Sequence, residues 1–212
     1  MSSHLKNYHW GSTLYAVTAL IIGLGVLFIS LAKASLQIWA VEDVQNQLRT
    51  KPIDFVITYT DGSTESGSYK LPEIKTLPTS PLYTLKTARN YLWLRLTKGE
   101  FDRSKMALLI ADKNMTEAQI LFSNKESKSG LLSSVEAIDK LKYAYNEIND
   151  TKIDNIEVNQ LKSQIVKAGY AYKVVLEKSK DTLNPDNKTE YNKIIKDLEK
   201  WNEERKKEKI GN

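Results

Sequence analysis

Residues 101–122 read FDRSKMALLIADKNMTEAQILF, and their spacing decides the fold. Phe101, Ser104, Leu108, Ala111, Met115, Ala118 and Phe122 follow one another at alternating steps of three and four. At about 3.6 residues per turn such positions fall on one helical stripe, the pattern of left-handed, near-antiparallel helix packing. The rhythm returns in Leu131, Ser134, Ile138, Leu141, Tyr145 and Ile148, and again in Val158, Leu161, Ile165, Ala168, Tyr172, Val175 and Ser179. A shorter version, Tyr191, Ile194, Leu198 and Trp201, closes the series. Residues 127–130 and 149–155 read as polar breaks, and Asn184-Pro185 as a cap followed by a first-turn proline. Upstream, Ser80-Pro81 gives the same start signal for a helix to about Thr97, which Gly99 ends. Its apolar face is predicted to be Leu82, Leu85, Ala88, Leu92 and Leu96. The expectation is a mainly α protein: an antiparallel bundle of about five helices over residues 77–209, with Leu108, Met115 and Ile138 in its core.

Residues 51–76 depart from this period. In DFVITYTDGSTESGSYKL (54–71), Phe55, Ile57 and Tyr59 alternate with Val56, Thr58 and Thr60, and Asp61-Gly62 predicts a two-residue type I′ hairpin turn. A lone hairpin is marginal in water, so it should pack on the helices through Phe55, Ile57, Tyr59 and Tyr69. Read as a turn, the Asp61-Gly62-Ser63 tip needs no phosphate or metal to explain it.

Residues 14–31, LYAVTALIIGLGVLFISL, carry no formal charge. As a helix at about 1.5 Å per residue they would nearly cover a bilayer's hydrocarbon thickness. Residues 13–35 are therefore expected to contact the lipid bilayer as a transmembrane anchor or signal segment, following a short tail, residues 1–12. Trp10, Tyr15 and Trp39 bracket the segment as an aromatic belt would. Residues 36–50, with Ile38, Val41, Val44 and Leu48, predict a juxtamembrane helix that Pro52 closes. Ala32-Lys33-Ala34 supplies the alternative, cleavage near Ala34 and secretion. The basic residues near the segment's ends, Lys6 on one side against Lys33, Arg49 and Lys51 on the other, taken alone favour a cytoplasmic C-terminal part. The counts are small and long domains translocate regardless of charge, which leaves orientation close to even.

Composition excludes several chemistries. The chain has no cysteine, and its two histidines, His4 and His9, both precede the apolar segment. The remainder therefore lacks thiolate nucleophiles, imidazole bases and the commonest zinc ligands. Residues 1–35 hold two of the 31 basic residues, leaving 29 against 26 acidic ones, a net of +3. That balance reads as a solvated surface and speaks against nucleic acid. Asp112, Lys113 and Glu117 could form an exposed acid–base cluster, but Lys113 and Glu117 also read as an ordinary i, i+4 pair. For Asp112 the expected role is structural, as partner of Tyr83 or Lys86. Asp150, Asp154 and Glu157 miss the calcium-loop spacing, since Leu161 stands where the twelfth-position acid belongs. Asp186 is better placed at a helix start, and the tyrosines read as half-buried packing residues. No catalytic, cofactor-binding or metal residue is expected.

The runs LPTSPLYTLKTARNYLWLRLT (77–97) and 101–122 resemble a bacterial family catalogued as a domain of unknown function, number 5667 in its series. Its members open with SPLY-x-LK and continue with a helix reading K-x-x-x-L-x-L-A-D-K-R. The matching residues here are Ser80, Pro81, Leu82, Tyr83, Leu85 and Lys86, then Ala111, Asp112 and Lys113. Asn114 stands where the family more usually has a basic residue. The resemblance covers residues 77–148 and implies a domain held outside the cytoplasm by one signal or anchor. The expected function is a non-catalytic, membrane-tethered extracytoplasmic binding or scaffolding module with an envelope or membrane protein partner. The alternatives are a signalling regulator acting with a partner and a carboxylate-based hydrolase of envelope polymers. Ser80, Pro81, Leu82, Tyr83, Lys86, Asp112 and Lys113 form the expected structural motif.

Overall fold

The chain divides into two compact units, Met1–Leu48 and Arg49–Asn212. The computed structural model describes residues 15–23, 26, 51–59, 62–74, 83–153 and 155–210, without the side chains of 83–85 and 207–210. In the first unit residues 15–23 and 26 are helical with exposed side chains. Among the described residues no helix is long and apolar enough to cross a membrane. Most of the apolar segment 13–35, the juxtamembrane residues 36–50, the cleavage site at Ala34 and the Ser80-Pro81-Leu82 start lie outside the described residues.

The second unit is mainly helical with one small antiparallel sheet. Strands β1 (Ile53–Thr58) and β2 (Thr64–Tyr69) precede helices α1 (Tyr83–Leu96), α2 (Glu100–Ser123), α3 (Ser127–Asn149) and α4 (Ile156–Ser179). Two short 3₁₀ turns, Lys180–Thr182 and Pro185–Asn187, lead into α5 (Lys188–Ile210). The hairpin buries Phe55, Ile57 and Tyr69 and turns Asp54, Val56, Thr58, Ser66 and Ser68 outward. These inward residues share one core with α2, α3, α4 and α5, so hairpin and helices form a single packed body.

On α2 to α5 the heptad positions lie where their spacing puts them, with Phe101 half-buried and every other one buried. Leu108, Met115 and Ile138 are core residues. Small residues hold α2 close to α3, and Ser104 donates to the Ala144 carbonyl at 2.7 Å. The cap of α4 is Asn155, whose side chain accepts from the Val158 amide at 2.9 Å. Gly99, at a φ of 86°, separates α1 from α2.

Four expectations need correction. The hairpin register pairs Thr58 with Thr64, and Tyr59 N–H donates to the Ser63 carbonyl at 2.8 Å. This leaves three linking residues, not the two of a type I′ turn, with Gly62 at a left-handed φ of 82°. Residues 127–130 are not a break but the first turn of α3; the connection is residues 124–126. Gly130 sits there because a Cβ would stand 2.7 Å from the Phe122 ring, so its role is close approach. Asn184-Pro185 opens a 3₁₀ turn, with no side-chain cap at Asn184, and α5 follows at Lys188. On α1, Ala88, Leu92 and Leu96 face solvent, Leu96 being 61% exposed, and Trp93 at 4% is the buried anchor. The inward face of α1 is instead polar around that tryptophan, with Lys86 reaching into the bundle and the Arg89 guanidinium 4.8 Å from the Trp93 ring.

Candidate functional site

The middle of α2 is buried on every side from residue 110 to 118. Asp112, Lys113, Asn114, Thr116 and Glu117 are therefore interior residues, not the exposed cluster or surface ion pair that their sequence suggests. Helix α2 is central: α1, α3 and α4 and the segment after β2 pack around it. Buried polar groups of this kind need partners, and each carboxylate has one on both of its oxygens. Asp112 Oδ2 accepts from the Tyr69 hydroxyl at 2.8 Å and Oδ1 from Tyr172 at 2.7 Å, joining hairpin and α4 through α2. Glu117 Oε2 takes the Lys86 ammonium at 2.5 Å and Oε1 takes Ser133 at 2.9 Å, joining α1 and α3. Thr116 donates to the Pro72 carbonyl at 2.9 Å. Asn114 reaches Glu136 at 3.5 Å, whose carboxyl is pushed above its ordinary range by partial burial and then by the Glu117 charge.

The sequence motif is thus partly located. Lys86 pairs with Glu117, Asp112 receives two tyrosines, and Lys113 is buried. Tyr83 opens α1 with its side chain outside the described residues, while Ser80, Pro81 and Leu82 lie outside them altogether. Among the described residues no group of three His, Cys, Asp or Glu side chains is placed to hold a metal ion.

Burial, and then the Asp112 charge, push the Tyr69 and Tyr172 hydroxyls well above the ordinary phenol range, which keeps both as donors. Tyr170 and Tyr191 are raised to about 12, first by burial and then by nearby carboxylates. A raised folded pKa gives stability that is complete below the unfolded value and is lost as pH climbs through the folded one. Unfolded phenols ionise at about pH 10. The urea midpoint should therefore hold to about pH 9.5 and decline above it, less steeply in Tyr172→Phe; a parent midpoint flat to pH 11.5 would contradict the burial of these rings.

Two open depressions flank the hairpin where it lies on α4 and α5. The larger, of about 930 Å³, is bordered by Asp54, Glu177, Glu199 and Glu203 against Lys173 and Lys206. Lys173 is held between Glu199 at 2.9 Å and Glu177 at 3.6 Å. The smaller, of about 630 Å³, has the opposite balance: Lys162, Lys167, Arg205 and Lys206 against Glu65. Its walls are aromatic. The Arg205 guanidinium lies 4.5 Å from the Tyr145 ring, and Tyr145 meets Trp201 edge-to-face at 5.7 Å. Tyr170 borders both depressions, stacked on Phe55 at 5.9 Å, its hydroxyl 3.4 Å from the Asn202 carbonyl. Behind it Gly169 lets α5 approach, since a Cβ there would stand 2.4 Å from Asn202 Oδ1.

Sequence reasoning missed this face. The signal was a second α4 stripe, Asn159, Ser163, Val166 and Tyr170, at steps of four, three and four beside the buried one. Compared with known proteins, the chain matches no family model, no curated protein and no solved structure.

Proposed function

We propose that this chain is a membrane-tethered extracytoplasmic binding or scaffolding module without catalytic activity. One observation carries the reading: the two interior carboxylates, Asp112 and Glu117, have all four oxygens engaged by the fold's own donors. The smaller depression instead offers aromatic, amide and cationic side chains, the groups that orient a bound ligand. A hydrolase using paired carboxylates would need two of them facing a cleft with room for water between them; of the four that border the larger depression, Glu177 and Glu199 are paired with Lys173 and Glu203 with Lys206. The tether in this reading is the charge-free segment 14–31 with its aromatic flanks, and the outward placement is what the resemblance of residues 77–148 implies.

The absence of cysteine makes placement directly testable. Ser123→Cys puts a single thiol at an exposed position near the end of α2. On intact cells a membrane-impermeant maleimide should label this variant, and the labelled chain should sediment with membranes. Labelling only after lysis, or a chain found in the soluble fraction, would overturn the proposal.

A further inference from the structure

We propose that the smaller depression is a site for an anionic, hydroxyl-rich small molecule of the phosphorylated polyol or sugar class. The proposal rests on reading the unit as a binding module and names the chemistry of its ligand. Charge is the first argument. Of the groups around the depression, Glu65 is engaged by the Tyr59 hydroxyl at 2.5 Å, and Lys206 by both oxygens of Glu203 at 3.2 Å. Lys162 and Lys167 border the depression, and among the described residues neither has an ion-pair partner.

Their placement is the second argument. Five residues apart, they lie on opposite shoulders of the α4 stripe, roughly 140° apart around the helix and about 7.5 Å along it. An anion resting over Ser163 and Val166 would be reached from both sides by flexible ammonium groups. Lysines suit phosphate, whose several oxygens can share point charges from different directions. The rest of the lining suits a polyol. Asn149, Asn159 and Ser163 carry groups that pair with hydroxyls, and Tyr59, Tyr145 and Tyr170 offer ring surface to a carbon skeleton. A volume of about 630 Å³ lies within the range of small-molecule sites. Across Tyr170 the larger depression, with its four carboxylates, repels the same ligand and serves as an internal control.

Calorimetric titration of the full-length chain with sorbitol 6-phosphate, sorbitol and inorganic phosphate tests this. Sorbitol 6-phosphate should bind at least tenfold more tightly than either companion. The double variant Lys162→Glu, Lys167→Glu should lose at least tenfold in affinity while keeping the parent circular dichroism, since both side chains are partly exposed. Glu199→Gln, across Tyr170, should stay within twofold of the parent. If the double variant fails to fold, amide shifts in the parent decide the matter: perturbation by sorbitol 6-phosphate centred on residues 159–170 supports the site, and perturbation elsewhere refutes it. Dihexanoyl phosphatidylglycerol identifies the source. Displacement of the sugar phosphate puts the anion on a lipid headgroup, and no displacement puts it on a soluble polyol, the site being supported in both cases. Failure of sorbitol 6-phosphate to bind, or undiminished binding to the folded double variant, overturns the inference. Sorbitol binding as tightly as its phosphate overturns the anionic class yet leaves a binding module standing, and the maleimide test of placement is independent of all three results.

Discussion

Asp112→Ala should lower the stability of the Arg49–Asn212 unit by about 3–5 kcal/mol, because it leaves two buried phenol donors facing an empty space. In the native structure Tyr69 and Tyr172 approach the two oxygens of one carboxylate at 2.8 and 2.7 Å, and all three residues are buried. Both rings are buried, Tyr172 completely, so water is a poor replacement for the lost acceptor. Each unsatisfied hydroxyl costs roughly 1–3 kcal/mol, and the missing carboxyl adds a small cavity. Asp112→Asn separates the contributions. Its carbonyl still accepts from one tyrosine, but its amide presents hydrogens to the other, so about half the loss should remain. Urea midpoints at unchanged slope measure both. A loss below about 0.5 kcal/mol in Asp112→Ala, the uncertainty of such fits, would mean that the carboxylate is not the node joining hairpin to α4.

Lys86→Met should cost a similar amount, about 3–5 kcal/mol, for a different reason. Glu117 is fully buried, and its described partners are the Lys86 ammonium and the Ser133 hydroxyl. Removing the cation strands a charge that the interior solvates poorly. The asymmetry of buried ion pairs supplies the decisive control: replacing both partners, as Lys86→Met with Glu117→Met, should recover most of the loss, because apolar side chains of similar volume need no counter-charge. The coupling energy from the four proteins isolates the pair. A double variant as unstable as Lys86→Met alone would show that the loss came from packing around α1 and not from an orphaned carboxylate.

These buried charges mark where the sequence stopped being legible. The stripes on α2 to α5 could be read because one apolar face per helix was enough to specify packing there, as Leu108, Ile138, Ile165 and Leu198 show. That inference assumes a helix with a solvated side. Residues 110–118 have none, so Lys113 and Glu117 looked like a surface pair when the fold had enclosed them, and Asp112, read as structural, meets tyrosines from β2 and α4. Helix α1 failed in the opposite sense: leucines drew the predicted face, yet a lysine bound for Glu117 and the large ring of Trp93 fix which way it turns. Gly130 was misread because one residue type serves both helix ends and close contacts, and only the Phe122 ring tells them apart. The two depressions were illegible for a geometric reason. The smaller joins residues near 57, 145, 163 and 205 and the larger residues near 55, 67, 174 and 202, which periodicity within single helices cannot bring together.

The docking of the hairpin also has a consequence for the order of events during folding. Tyr69 and Tyr172 meet at one carboxylate although about a hundred positions separate them, whereas α2 and α3 are chain neighbours joined by three residues. Closing a long chain segment is entropically slower than zipping adjacent helices. On a ribosome the strands emerge first, yet the α4 surface that covers Phe55 and the hydroxyl that completes Asp112 emerge about a hundred residues later. The earliest part of this unit to be synthesised is therefore not secured until α4 arrives, and until then β1 has its apolar side uncovered.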